Sequence, residues 1–307
     1  MRRIGWSPCS VLGGRLTPFS VVAMLRLMQR WKNVNPELGS WLESVRYSLI
    51  SGEEFDLRNA PNGSVIWIQS NQSAGRTACF DTSRRDGSIV AIQKWPHQAH
   101  SLARQLRGIY TSMEEIECRD LLTWARNLDQ ADARGRCHHI IDGAGRCWTG
   151  LNTELRSIRG AFEAGRIPRS QKYPQVAEKM SKVIDSPDDP YLLLSALREC
   201  QAAGDILYRN ELWKEMQRVL EVFHGGEFDS FEDAAWHIRN QARRQGRKLE
   251  HRLVSRTLLI KGLEFDHVVI VNADDLDDPK NLYVGLTRCR KTLTIISGSP
   301  IIHRNPL

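Results

Sequence analysis

The 307-residue sequence has no uninterrupted apolar run approaching the ~20 residues that a membrane-spanning helix needs. It has no low-complexity tract and no internal repeat. No secretory signal precedes its seven Cys residues, which are odd in number and widely spaced, at positions 9, 79, 118, 137, 147, 200 and 289. That pattern argues against a disulfide framework and predicts reduced thiols in a cytoplasmic compartment, with no membrane partner. Acidic residues are missing from the N-terminus until Glu37, while Arg2, Arg3, Arg15, Arg26 and Arg30 accumulate there. A transit peptide, a basic surface helix or a poorly defined coding start would each look like this. Cys118, Cys137, His138, His139 and Cys147 match no compact zinc spacing, so ordinary thiols, a surface His pair and no metal are expected.

What is present suits a soluble globular chain, with 41% hydrophobic and 26% charged residues. The length allows one large or two small domains. The formal charge of +7 and the pI near 9.1 favour a polyanionic partner such as nucleic acid.

Along the chain, helical spacing runs over residues 19–33 and again over 40–50, with Pro36 and Gly39 as punctuation between them. Residues 64–69 and 88–93 read as strands, and the polar stretch 71–87 between them as loop. Pro96 opens a helix through about Arg107, since a first-turn proline loses no hydrogen bond, and a further helix fits 113–128. Strand followed by helix suggests a parallel βα unit. From about Gly150 to Gly246 no convincing strand appears. Helices are predicted over 151–163, 174–184, 191–203, 208–224 and 231–245, with Ser230 as N-cap of the last. The βα pattern then returns as strand 253–259, strand 267–272, helix 280–290 and strand 291–297. These patterns divide the chain into a helical lead (1–60), the first part of an α/β domain (61–130), a helical insertion (131–250) and the end of the α/β domain (251–307).

Two motifs in the last fifty residues carry chemistry. Lys261-Gly262-Leu263-Glu264-Phe265 follows one strand and precedes another. Gly262 lets the backbone turn tightly and approach a ligand. Glu264 can accept hydrogen bonds from a ribose hydroxyl, and Lys261 can meet an anion or pair with Glu264 or Asp266. A solvated charged turn would have the same residues. Tyr283-Val284-Gly285-Leu286-Thr287-Arg288 follows, its apolar side on the sheet. An arginine at that edge can stabilise a transferring phosphoryl group. An exposed helix end carrying Arg288, Arg290 and Lys291 is the plainer alternative.

Taken together, in this order and spacing, the two motifs resemble motifs V and VI of the UvrD/Rep/PcrA-type superfamily 1 DNA helicases. More loosely, residues 89–106 are similar to the strand and helix after motif IV of that family. The helical insertion sits where these helicases carry an accessory subdomain. The resemblance implies a RecA-like α/β fold, a parallel sheet flanked by helices and interrupted by an all-helical insertion. It implies ATP in a cleft between two such domains, and translocation on single-stranded DNA. By position, Glu264 would contact the ribose, Gly262 would lie by the phosphates, and Arg288 would touch the γ-phosphate as the catalytic residue.

The departures are as informative. No G-x-x-x-x-G-K-[ST] occurs; Ala74-Gly75-Arg76-Thr77 and Gly143-Ala144-Gly145-Arg146 lack the frame that cradles phosphates. No apolar strand ends in Asp-Glu to hold Mg²⁺. The family's Thr and His upstream of Lys261 are replaced by Arg256 and Leu258. The chain thus reads as a C-terminal half, inactive alone, whose partner is a P-loop-containing N-terminal helicase domain or subunit that also supplies Mg²⁺. A non-catalytic remnant that binds nucleic acid or protein is the competing reading. Arg256, Lys261, Arg243, Arg244 and Arg247 are the candidate nucleic-acid contacts, within a basic segment that also holds Arg239, Lys248 and Arg252. Trp124, Trp213 and Trp236 occupy apolar positions of predicted helices, so core packing is expected for them ahead of base stacking.

Overall fold

The computed structural model describes residues 35–245 and 249–306. The helix expected over 19–33, and Arg247 with Lys248, lie outside the described residues. Helix α1 (Pro36–Ser51) begins behind Asn35, whose side chain accepts a hydrogen bond from Leu38 N at 3.1 Å. Pro36 is therefore a first-turn proline and not a break. There follow β1 (Phe55–Asp56), β2 (Val65–Gln69), α2 (Ala74–Ser83), β3 (Ile89–Gln93), α3 (Pro96–Gln105) and β4 (Thr111–Ser112). A helical run comprises α4 (Arg119–Gln130), α5 (Ala133–Cys147), α6 (Leu151–Glu154), α7 (Arg156–Glu163), α8 (Pro174–Asp185), α9 (Pro190–Cys200), α10 (Asn210–His224) and α11 (Phe231–Gln245). The chain returns through β5 (Arg252–Arg256), a 3₁₀ turn (Thr257–Ile260), β6 (Phe265–Ile270), α12 (Pro279–Leu286), β7 (Cys289–Ser297) and β8 (Ile301–Ile302).

Six strands form one parallel sheet in the order β2-β7-β6-β3-β5-β4. Strands β1 and β8 pair separately and antiparallel. The apolar strands bury both faces, as an all-parallel sheet requires. Val90, Ile92, Val268 and Ile270 join a core with α1, α12 and Ile260 of the 3₁₀ turn. Ile89, Ala91, Val254 and Val269 point the other way, onto α2 and α3. This is the parallel α/β sheet flanked by helices that the RecA-like resemblance implies.

Helix α2 lies within the stretch expected to be loop. Its buried positions are small or polar (Ala74, Ala78, Cys79, Thr82), so they make no conspicuous apolar stripe. Asn71 starts the helix, its side chain accepting from the backbone N–H of Ser73 and Ala74. Residues 133–147, unassigned in the strand-and-helix reading, form α5 behind the N-cap Asp132. The helix expected over 151–163 is broken at Leu155 into α6 and α7. The strand expected over 253–259 stops at Arg256 and gives way to the 3₁₀ turn.

The helical run packs around its own core, including Leu121, Ile140, Met180, Leu197 and Val219. Ser230 caps α11 as expected, accepting from Asp233 N at 3.0 Å, and Asp129 of α4 receives the N–H groups of Phe231 and Glu232. The helix predicted over 113–128 starts only at Arg119, because residues 113–118 are pulled out as a tether between sheet and helices. Arg209 donates to both carboxylate oxygens of buried Glu114 at 2.7 and 2.6 Å and pairs with Asp120 at 2.7 Å. Arg239 pairs with Glu215 and donates to the carbonyls of Glu115 and Ile116.

Candidate functional site

The two motifs meet at the start of β6 and β7. The 3₁₀ turn leaves the end of β5, crosses one face of the sheet and delivers Lys261 to Glu264 to the opposite edge, where β6 begins. Helix α12 crosses the same face and ends at Leu286, so Arg288 stands immediately before β7 and not on a helix. Arg290 and Lys291 are likewise strand residues, which corrects the expected helix over 280–290. Phe265 N donates to Arg288 O at 2.9 Å, locking the two motifs together at the backbone.

Arg288 is 5% exposed. Its guanidinium donates to Val284 O at 3.1 Å, Leu263 O at 3.2 Å and Thr287 Oγ1 at 2.9 Å. Every acceptor is neutral. Among the described residues no carboxylate forms an ion pair with it. Burial lowers its pKa, and the charge of Glu264 opposes that only in part. Such a cation keeps unspent capacity for an anion.

Glu264 is half-buried and has no hydrogen-bond partner among the described residues, so its oxygens are available to a hydroxyl donor. Gly262 adopts φ +86°, a left-handed conformation that favours glycine. No atom lies within 4 Å of where its Cβ would stand, so open space remains for a ligand to approach the backbone. Lys261 is exposed beside it. A guanidinium with neutral hydrogen-bond acceptors, a carboxylate without a hydrogen-bond partner among the described residues and an open glycine turn suit an anionic ligand bearing hydroxyls. ATP fits that description.

The other expected residues divide. Arg243 and Arg244 are exposed on the last turn of α11. Arg256, half-buried, pairs with Glu115. Arg239 is 1% exposed and belongs to the buried tether, not to a basic surface. Arg252 donates to Ser83 O. Trp124 and Trp213 are core residues as expected, whereas Trp236 is partly exposed. His138 faces Asp142 and Glu163, while Cys118, Cys137 and Cys147 are buried, with burial pushing the Cys137 thiol up to about 12. Among the described residues no group of three or more His, Cys, Asp or Glu is placed to hold a metal, and no helix is long and apolar enough to cross a membrane.

Sequence reasoning missed the opposite edge of the sheet. There a cleft of about 470 Å³ opens at the C-terminal ends of β2, β3 and β6, lined by Asn71, Arg76, Gln93, His97 and Asn272 among others. Helices α2 and α3 leave β2 and β3 toward one face, while the 3₁₀ turn and α12 leave β5 and β6 toward the other. Neighbouring connections that part in this way open a crevice, the usual ligand position in a parallel α/β sheet. The sequence signal is Asn71, which starts α2 within a stretch whose polarity reads as loop. Gly75 is a packing glycine here, since a Cβ would meet Val271 Cγ1 at 2.4 Å. Gly143 and Gly145, weighed as part of a phosphate loop, lie inside α5.

None of the curated proteins matches the chain. Residues 200–297 match the family model of the viral superfamily 1 RNA helicase core domain. That stretch runs from the end of α9 to the end of β7 and contains both motifs. The match supports a superfamily 1 helicase-like domain in this chain.

Proposed function

We propose that this chain is the C-terminal ATP-binding half of a UvrD-like superfamily 1 ATP-dependent DNA helicase. Glu264 accepts from the ribose hydroxyls, Gly262 lets the phosphates approach the backbone, and Arg288 stabilises charge on the γ-phosphate during transfer. Mg²⁺ and the P-loop come from a domain beyond these 307 residues. The open edge, with Arg76, and the exposed Lys261, Arg243 and Arg244 attract single-stranded DNA. The helices of 131–250 form an accessory subdomain. Cysteine usage supports a cytoplasmic setting for this work. One observation carries the reading: Arg288 is buried with neutral hydrogen-bond acceptors and no ion pair among the described residues, at the position where the motif calls for a phosphate.

Two-part reconstitution tests it. A co-purifying product with G-x-x-x-x-G-K-[ST] and an Asp-Glu strand should restore DNA-dependent ATP hydrolysis when mixed with this chain, and Arg288→Ala should remove it. Restored hydrolysis that ignores Arg288→Ala would refute the assignment. Absence of the P-loop in this sequence favours a second reading, a remnant that binds nucleic acid or protein without turnover. Nucleic-acid binding with no ATP-dependent partner would select it.

A further inference from the structure

A guanidinium carries five N–H donors in a rigid plane, and the described residues satisfy three of those on Arg288. Nε donates to Val284 O at 3.1 Å, Nη1 to Leu263 O at 3.2 Å and Nη2 to Thr287 Oγ1 at 2.9 Å. Each nitrogen therefore has one anchor, and anchors on all three nitrogens fix both the place and the roll of a planar group. One N–H on Nη1 and one on Nη2 have no acceptor among the described residues. Two donors on the two terminal nitrogens make a fork that fits two oxygens of one tetrahedral oxyanion.

These anchors are not alike. Val284 O and Leu263 O are backbone groups, placed by α12 and by the loop after the 3₁₀ turn. Thr287 Oγ1 belongs to a side chain. Its own proton is already engaged, since the hydroxyl donates to Tyr283 O at 2.8 Å, with Val284 O at 3.2 Å as a second acceptor. A hydroxyl has one proton, so toward Arg288 this oxygen can only accept. Thr287 is 9% exposed and closes α12, where its N–H donates to Tyr283 O at 3.0 Å. A buried hydroxyl, held by the last turn of a helix, thus orients the guanidinium next in the chain. A methyl group in its place would leave a buried N–H of a cation without a partner and the fork free to turn.

We propose that Thr287 is a positioning residue for Arg288: its hydroxyl holds the guanidinium so that the two remaining N–H groups present a fork to a terminal phosphoryl group. The inference rests on the nucleotide reading above and adds to it the residue that aims the cation. Loss of a hydrogen bond to a charged group weakens binding by roughly ten- to a hundredfold.

The test is NMR titration of the purified full chain with ATP and with ADP, together with the guanidinium signals of Arg288 in the free chain. In the free wild-type chain Nη1 and Nη2 should give separate signals, because an anchored plane rotates slowly. One averaged signal overturns the inference without any substitution. The wild-type chain should prefer ATP to ADP, and Arg288→Ala should remove that preference. Thr287→Val, nearly isosteric, should weaken ATP binding by the stated factor, leave ADP binding unchanged and merge the two guanidinium signals. Thr287→Ser keeps the hydroxyl and should match the wild type in all three respects. If Thr287→Val binds ATP as the wild type does while Arg288→Ala does not, or if Thr287→Ser is as weak as Thr287→Val, the positioning role falls and the nucleotide reading stands. If the wild type shows no preference for ATP that Arg288→Ala removes, the nucleotide reading falls and the inference with it.

Discussion

Three arginines are buried to a similar depth, and they live in two different electrical environments. Arg209 and Arg239, 5% and 1% exposed, sit in the tether between sheet and helices against Glu114, Asp120 and Glu215. Burial disfavours their charge, but the carboxylates outweigh it and raise both pKa values. Arg288, also 5% exposed, donates only to carbonyls and a hydroxyl, and burial lowers its pKa with the charge of Glu264 opposing only in part. The tether is an internally neutralised structural device. The motif site is an incompletely neutralised one, which is what a site awaiting an anion requires. Burial alone does not distinguish structure from function; the partner does.

The sharpest break of that comparison is to remove each cation in turn. Arg209→Met takes from buried Glu114 the guanidinium that donates to both its oxygens, and from Asp120 its ion pair, and should cost about 3–5 kcal/mol. Arg288→Met orphans only neutral acceptors and should cost about 1–3 kcal/mol. Urea denaturation of both variants decides it, and equal losses would erase the distinction.

Next in size, Glu264→Gln replaces a charged acceptor by a neutral one at the proposed ribose contact. The loss should be about 1.5–3 kcal/mol, roughly ten- to a hundredfold, in the ATP concentration needed for half-maximal turnover of the reconstituted enzyme. An unchanged value would remove Glu264 from the site.

Gly262→Ala should destabilise the fold by only about 1 kcal/mol, since the cost is the left-handed backbone and not a clash. Thermal unfolding measures it. A much larger loss would mean that the turn is packed and not open to a ligand.

The smallest effect is a pH dependence that involves none of the three buried arginines. His267 is buried on β6, its Nδ1 2.6 Å from Thr292 Oγ1 and its Nε2 3.1 Å from Asp86 O. Burial lowers its pKa, the Asp86 carbonyl opposing in part. The unfolded chain therefore takes up this proton first, and the contribution of His267 to stability is lost as pH falls below the ordinary His value of about 6.5. Melting temperatures between pH 7.5 and 5.5 should decline, and His267→Gln should flatten the decline. A His267→Gln chain as pH-sensitive as the wild type would contradict this.

Much of the sheet was legible because parallel strands are apolar on both faces and bounded by turn residues, as in Val65–Gln69 and Ile89–Gln93. Helix α2 was not, since small residues pack it against β6 without an apolar stripe. The tether at residues 113–118 was read as helix because local spacing says nothing about Arg209 and Arg239, which lie about a hundred residues away in sequence. At the site, motif spacing brought Gly262, Glu264 and Arg288 into view. It could not reveal that Arg256 pairs with Glu115 or that Arg239 is buried against Glu215. Those facts depend on contacts between elements distant in the chain.

The central claim is that Glu264 and Arg288 form one wall of an ATP site whose P-loop wall lies outside these 307 residues. Phosphate release from ATP by the purified chain, with saturating single-stranded DNA, tests it most directly. The account predicts no DNA-stimulated turnover by the chain alone. DNA-stimulated hydrolysis by the chain alone that Arg288→Ala abolishes would contradict it.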